Sequence, residues 1–248
     1  MSTIKTLKKD KLKVIICETR DEIGTAAADD IAACIEKLLK EKETVNMIFA
    51  AAPSQNEMLM NLAKKKLPWG RINAFHMDEY VGLDKNHPQS FGKYLYDHIF
   101  GLVDFASVKY ISDYGEKYGE FLEKNHIDII CLGIGENGHI AFNDPGVADF
   151  NDPKLIKEVK LDDVCRMQQV HDGCFKTFDD VPESAFTITV PAMFAASHLF
   201  CVVPASTKAE AVFRTVNDGI NENCPATIMR NHGSAVMYCD KDSGIKII

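Results

Sequence analysis

Three stretches of this 248-residue chain gather side chains able to move protons or hold an anion. The first is residues 133–145, where Gly133, Gly135 and Gly138 lead into His139, Asn143 and Asp144, with Glu136 and Asn137 between the glycines. An imidazole exchanges protons near neutral pH, and a carboxylate beside it fixes its tautomer and orientation. The glycines are also compatible with a plain turn, and Asp144-Pro145 with the start of one. The second stretch is Asp78-Glu79-Tyr80 before Gly82, where paired carboxylates suit either a general base or a solvated loop. The third set is Ser54 and Gln55 in the 50–55 loop and Lys208 after Pro204. Ser54 at a helix start either caps the helix or helps its free amides hold an anion. Lys208 falls in the first turn of an expected helix, where a cation opposes the dipole unless an anion sits nearby.

These groups are positioned by an alternation of strands and helices. The run 127–132, apolar except for Asp128, is short, β-branched and bounded by glycine, which predicts a buried parallel strand. Further strands are expected at 13–17, 45–52, 72–77, 187–190, 198–203 and 235–239. Helices are expected at 22–41 with Asp21 as cap, after residue 53, at 90–100 and 114–123, and from Lys208 to about residue 216. The fold class implied is α/β, a doubly wound, mostly parallel Rossmann-like sheet with helices on both faces. Such sheets place ligands beyond the carboxyl ends of their strands, where all three stretches fall. Residues 149–182 are polar, weakly periodic and long, which reads as a lid over the site within a single domain spanning 1–248.

Composition narrows the function classes. A net charge of −8 offers no basic surface for nucleic acid, although an anionic substrate needs only a few local cations. No run reaches membrane-spanning length, and the first residues lack the apolar core of a signal peptide. Eight scattered cysteines without a CxxC pair suggest reduced, mostly buried thiols in a cytoplasmic protein. The His, Cys and Asp spacing gives no convincing metal site, and no cofactor is expected.

The segments FHMDEYVGL (75–83), HPQSF (87–91) and LGIGENGHIAFNDP (132–145) resemble the glucosamine-6-phosphate deaminase/isomerase family, which shares its fold with the 6-phosphogluconolactonases. The similarity runs from the first strand to about residue 240. It implies that Asp78 is the base moving a proton between C1 and C2 of an opened sugar phosphate, and that His139 assists ring opening. It places Asn137 beside that histidine, where many members have aspartate and others asparagine, and Asp144 where the family has glutamate, orienting His139. Lys208, in PASTKAEA, matches a lysine that binds the substrate phosphate. Arg166 lies near where members use an arginine on phosphate, with the spacing one residue out.

Such a proton shuttle needs a carboxylate over C2, a neutral imidazole near the ring oxygen, and phosphate contacts as remote anchors. The chain departs from the family at 50–55, where a glycine- and threonine-rich phosphate loop is replaced by Ala50-Ala51-Ala52-Pro53-Ser54-Gln55. Only Ser54, with Gln55 beside it, and the backbone amides remain there. Asp144 is one methylene shorter than glutamate. These departures suggest a related sugar phosphate or an altered reaction. Alternatives are a sugar-lactone phosphate hydrolase and a non-catalytic sugar-phosphate sensor. Lactonases read D-E-R and D-G-H-T-A-S where this chain reads Asp78-Glu79-Tyr80 and His139-Ile140-Ala141-Phe142-Asn143. The expected partner is a small sugar phosphate, with homo-oligomer formation left open.

Overall fold

Period-two alternation along the central strands sends side chains into two separate cores, one on each sheet face. Ile48, Ile130, Leu132, Leu199, Cys201 and Val203 face one core, while Met47, Phe49, Ile129, Cys131, Phe200 and Val202 face the other. Strands buried on both sides read as continuous apolar runs, which is why they are conspicuous in the sequence.

The computed structural model describes residues 3–171 and 173–248. In chain order its elements are β1 (Thr3–Lys9), β2 (Leu12–Cys17), α1 (Arg20–Leu38), β3 (Val45–Phe49), α2 (Asn56–Ala63), β4 (Ile72–His76), β5 (Asp78–Tyr80), α3 (Phe91–Leu95), β6 (Ser107–Lys109), α4 (Ile111–Tyr114), α5 (Gly119–Lys124) and β7 (Ile129–Leu132). There follow β8 (Ile156–Lys160), α6 (Asp163–His171), β9 (Ser184–Ile188), α7 (Val190–Phe194), β10 (His198–Val203), α8 (Ala209–Asn217) and β11 (Ala235–Asp240). Eight strands form the main sheet in the order β1-β2-β11-β10-β7-β3-β4-β6, parallel throughout except for the β1–β2 hairpin at one edge. Helices α1 and α2 pack on one face, and α7 and α8 on the other.

The chain winds outward from β3 through β4 to β6, then returns to β7 and winds the other way through β10 to β11. The reversal falls between the paired neighbours β3 and β7, where Ile48 lies opposite Ile130. Loops leaving these two strands diverge to opposite faces and open a crevice at their carboxyl ends. The three stretches singled out in the sequence meet around it.

Several elements differ from their sequence expectation. Helix α1 starts at Arg20 because Thr19, not Asp21, accepts the backbone N–H of Glu22 at 3.2 Å. The lysine-rich start forms β1, an exposed edge strand whose polar residues need no burial. The helix expected at 114–123 is split into α4 and α5 by a tight turn beginning at Gly115. Asp78-Glu79-Tyr80 is a buried strand rather than a loop. Together with β9 and β8 it forms a second, antiparallel three-stranded sheet, so 187–190 does not extend the main one. Residues 149–182 are likewise no structureless loop: they contain β8 and α6, and Val159, Leu161, Cys165, Phe175 and Val181 join Tyr80, Phe91 and Phe142 in a third apolar cluster.

Asp128, the polar interruption before β7, is almost wholly buried, and its carboxylate accepts the Asn46 N–H at 2.9 Å and pairs with Lys42. It ties the entry of β7 to the entry of β3, at the end of the sheet opposite the crevice. Asp128→Ala leaves that amide and ammonium without their partner and is expected to lower stability by about 1–3 kcal/mol, read from urea unfolding.

Candidate active site

The crevice holds a cavity of about 140 Å³ lined by four strand-end loops: 50–54 after β3, Met77 and Asp78 after β4, 133–139 after β7, and 204–208 after β10. Arg20, Phe91, Ala141, Phe142, Gln168 and Gln169 complete its wall.

His139 is held in place from three sides. Its Nδ1 lies 2.8 Å from Asp144 Oδ1, and its backbone N–H donates to Asn137 Oδ1 at 3.0 Å. Its ring rests on the Cα of Gly135, where a Cβ would stand 2.1 Å from His139 Cε1, so only glycine fits. Gly138 carries φ +90°, and a Cβ there would meet Cys224 Sγ at 2.5 Å. The G-x-G-x-x-G spacing is therefore a steric requirement of the histidine as well as of the turn.

Asp144 lies behind His139. Burial pushes its carboxyl up, but the charge and hydrogen bond of His139, with hydrogen bonds from Asn137 and Cys165, hold it below the usual aspartate range. Asn137 Nδ2 donates to Asp144 Oδ1 at 2.8 Å. Asn137 and Asp144 thus orient His139 without lining the cavity themselves. Asn143 donates through Nδ2 to the carbonyls of Ile140 and Ile188 at 3.0 and 2.9 Å, which fastens this loop to β9.

His139, Asp144 and Cys165 also bring nitrogen, oxygen and sulfur atoms within 4.8 Å of one another, a convergence hidden in the linear spacing because Cys165 arrives on α6. The 2.8 Å separation of Nδ1 and Oδ1 is a close imidazole–carboxylate contact. Two such ligands on a tetrahedral zinc stand about 3.4 Å apart.

Opposite, the adjacent carboxylates divide their roles. Glu79 turns away from the cavity and accepts the backbone N–H groups of Tyr80, Phe91 and Gly92 at 2.8–3.0 Å, anchoring the start of α3. Asp78 faces the cavity and is nearly buried. Desolvation, and then the neighbouring Glu79, raise its carboxyl well above the ordinary aspartate value. His76 in the same motif is structural: its Nε2 accepts the Ile111 N–H at 2.7 Å, and burial lowers its pKa to about 3, keeping it neutral.

At the other end Lys208 is buried and lines the cavity beside Thr207, in the tight turn that opens α8. Ser54 lines it from the 50–54 loop. Gln55 does not. Its side chain is wholly buried beneath the loop, with Nε2 donating to Ser54 Oγ and Val202 O, so it supports the turn rather than facing a ligand. Arg166 is also turned away. Its guanidinium stacks 4.0 Å from the Phe178 ring and donates to the carbonyls of Phe178 and Val181, so α6 brings no cation to the cavity. Sequence reasoning missed Arg20, which lines the cavity from the start of α1 while paired with Glu57 at 2.8 Å. It also missed Gln168 and Gln169, which lie in a weakly periodic segment.

A crevice at the strand-order reversal that gathers a buried carboxylate, an oriented imidazole and a buried lysine is where α/β enzymes place their sites. A family profile described as glucosamine-6-phosphate isomerases/6-phosphogluconolactonase matches residues 18–238. The chain belongs to this enzyme family. Glucosamine-6-phosphate deaminases of Bacillus cereus (strain B4264) and Bacillus anthracis (strain CDC 684 / NRRL 3495) are each 30% identical to it over 240 residues, covering 94% of this chain and 88% of theirs. Among solved structures, a monomeric glucosamine-6-phosphate deaminase superposes with a TM-score of 0.85 at 25% identity, over 94% of this chain and 98% of its own. The 6-phosphogluconolactonase of Thermotoga maritima shares the fold, with a TM-score of 0.75 at 20% identity over 93% and 100%.

Gly135→Ala places a methyl where the His139 ring lies. It is expected to lower kcat/KM by about a hundredfold through displacement of the imidazole. Turnover and the melting temperature, measured together, separate this effect from unfolding.

Proposed function

We propose that the chain is an amino-sugar-phosphate isomerase/deaminase that converts glucosamine-6-phosphate or a related hexosamine phosphate to a ketose phosphate and ammonia. The reading is carried by one observation: Asp78 and His139 face a single cavity whose other wall holds Lys208 and Ser54. In this reading Lys208, Ser54 and the 50–54 amides hold the phosphate and set the sugar between the two proton-transfer groups. His139 passes a proton to the ring oxygen as the hemiacetal opens. Asp78 takes the C2 proton and returns it to C1 while a proton passes from the C2 ammonium to O1, so the aldehyde carbon becomes the C1 alcohol and C2 is left as an iminium. Water adds at C2 and ammonia leaves. A carboxylate with a raised pKa is a stronger base once ionised, and a dry cavity strengthens its pull on the C2 proton. Segment 149–182 acts as a lid only in its outer parts, because β8 and the third apolar cluster anchor it.

The deciding experiment offers hexosamine 6-phosphates, hexose 6-phosphates and a 6-phosphogluconolactone, and assays ammonia, ketose and acid. Ammonia and ketose from a hexosamine phosphate support the reading. Acid from the lactone alone would replace it with the hydrolase alternative favoured by the lactonase-like fold, and binding without turnover with the sensor.

Asp78→Asn is expected to lower kcat by roughly 10²–10⁴-fold while substrate affinity stays near the parent value. Below the Asp78 pKa the base is protonated and idle. Activity should therefore rise with pH through a limb above the ordinary aspartate value of 3.8, and Asn should abolish that limb. The folded state holds this proton more tightly than the unfolded chain. Its stabilising contribution is full below 3.8 and is lost as pH rises through the higher folded-state value. The Asn variant should consequently melt above the parent at neutral pH.

Lys208→Ala is expected to weaken binding of the sugar phosphate and of inorganic phosphate alike, by about 10–100-fold, as loss of a charge-assisted hydrogen bond requires. Calorimetry with both ligands checks this.

A further inference from the structure

We propose that Gln169 is a specificity-determining residue whose side-chain amide reads a hydroxyl of the bound sugar. The inference rests on the sugar-phosphate reading and deepens it.

Helix α6 presents two residues to the cavity, Gln168 and Gln169, each only 8% exposed. They have different attachments. Gln168 Oε1 accepts the backbone N–H of Glu136 at 3.1 Å, which fastens α6 to the loop carrying His139. Gln169 is tied down through its backbone, whose carbonyl accepts the N–H of Cys174 at 2.9 Å. Its side-chain amide makes no hydrogen bond to protein among the described residues and is not sealed from solvent, so it is open to a group bound in the cavity that it lines.

The chemistry of the amide indicates which part of the ligand it meets. Its carbonyl accepts and its NH2 donates, so a hydroxyl, which does both, is its natural complement. A phosphate dianion can only accept, and the ammonium of Lys208 lines the cavity at its β10 end. The one arginine of α6, Arg166, is held against Phe178 and the carbonyls of 178 and 181, so this helix brings neutral amides and no charge to the wall. Helix α6 therefore faces the polyol part of the substrate. Gln168 fixes how close the helix stands to His139, and Gln169 uses that position to select among sugars that differ in one hydroxyl.

The test compares the parent with Gln169→Ala and with Gln169→Met, a side chain of similar size that cannot donate. Affinity and kcat/KM are measured for the best hexosamine phosphate, its epimers and single-deoxy analogues, and inorganic phosphate, with melting temperature as the control for folding. Both variants should bind the best substrate about tenfold more weakly, the loss of one neutral hydrogen bond. One deoxy or epimeric analogue should bind the parent poorly and the variants no worse, and affinity for inorganic phosphate should not move. The proposal is overturned if a variant that melts like the parent binds every sugar equally well, or loses affinity for every sugar and for phosphate by one common factor. A parent that binds no sugar phosphate would overturn the sugar-phosphate reading and this inference together, and that result appears before any variant is made.

Discussion

The contact between His139 Nδ1 and Asp144 Oδ1 is the constraint on which the rest of the site depends. An imidazole with a fixed orientation cannot rotate freely, and a buried carboxylate cannot stay ionised without compensation. Each group answers the other's requirement. Asp144 fixes the ring, while the His139 contact, with Asn137 and Cys165, outweighs the desolvation that would otherwise protonate Asp144. The local backbone follows from this pair. Gly135 must lack a side chain because the ring occupies that space, and Gly138 must take a positive φ to return the chain toward it. Asn143 then pins the far end of the loop to β9, so the dyad is held by both sheets.

The second sheet gives the site its electrostatic asymmetry. Asp78 lies on β5, which pairs with β9, and is buried beside Glu79. Glu79 has three backbone donors and is held by them despite its own burial, whereas Asp78 has desolvation and a neighbouring carboxylate working against its charge. One carboxylate of the pair is fixed as structure and the other is kept reactive. Ionised Asp78 disfavours the folded state, a cost typical of perturbed carboxylates in clefts.

How much of this was legible in the sequence follows from the length scale of each feature. The central strands were readable because burial on both faces leaves continuous β-branched runs, and the strand-order reversal follows from their alternation with helices. His139, Asp78, Lys208 and Ser54 could be placed at the cavity because each sits within a few residues of such a strand end. What failed was non-local. Residues 149–182 read as loop because β8 buries only alternate residues and α6 presents polar side chains to a cavity wall, so neither shows the apolar stripe of an ordinary element. Arg166 was expected on phosphate, but a cation's sequence position cannot reveal that two carbonyls and an aromatic ring have claimed it. Arg20 was missed because it enters from the opposite end of the chain, at the first turn of a helix that reads as scaffold.

The same non-locality accounts for the altered 50–55 loop. A loop without the glycines and threonines common in the family offers few side-chain donors, yet the cavity does not lack positive charge. Lys208 approaches from β10 and Arg20 from α1, so cationic groups stand on two sides of the 50–54 backbone. Arg20 is braced by a two-point contact with Glu57 and a hydrogen bond to Pro53 O, which couples the start of α1 to the turn carrying Ser54. Its pairing with Glu57 raises its already high pKa, so it stays charged, while the glutamate offsets part of its field at the cavity. An anion there would meet one buried lysine and one partly neutralised arginine, aimed by a loop whose own contribution is mainly backbone. In the proposed reading, rigid placement of a few charges takes the place of a dense loop of donors around the phosphate.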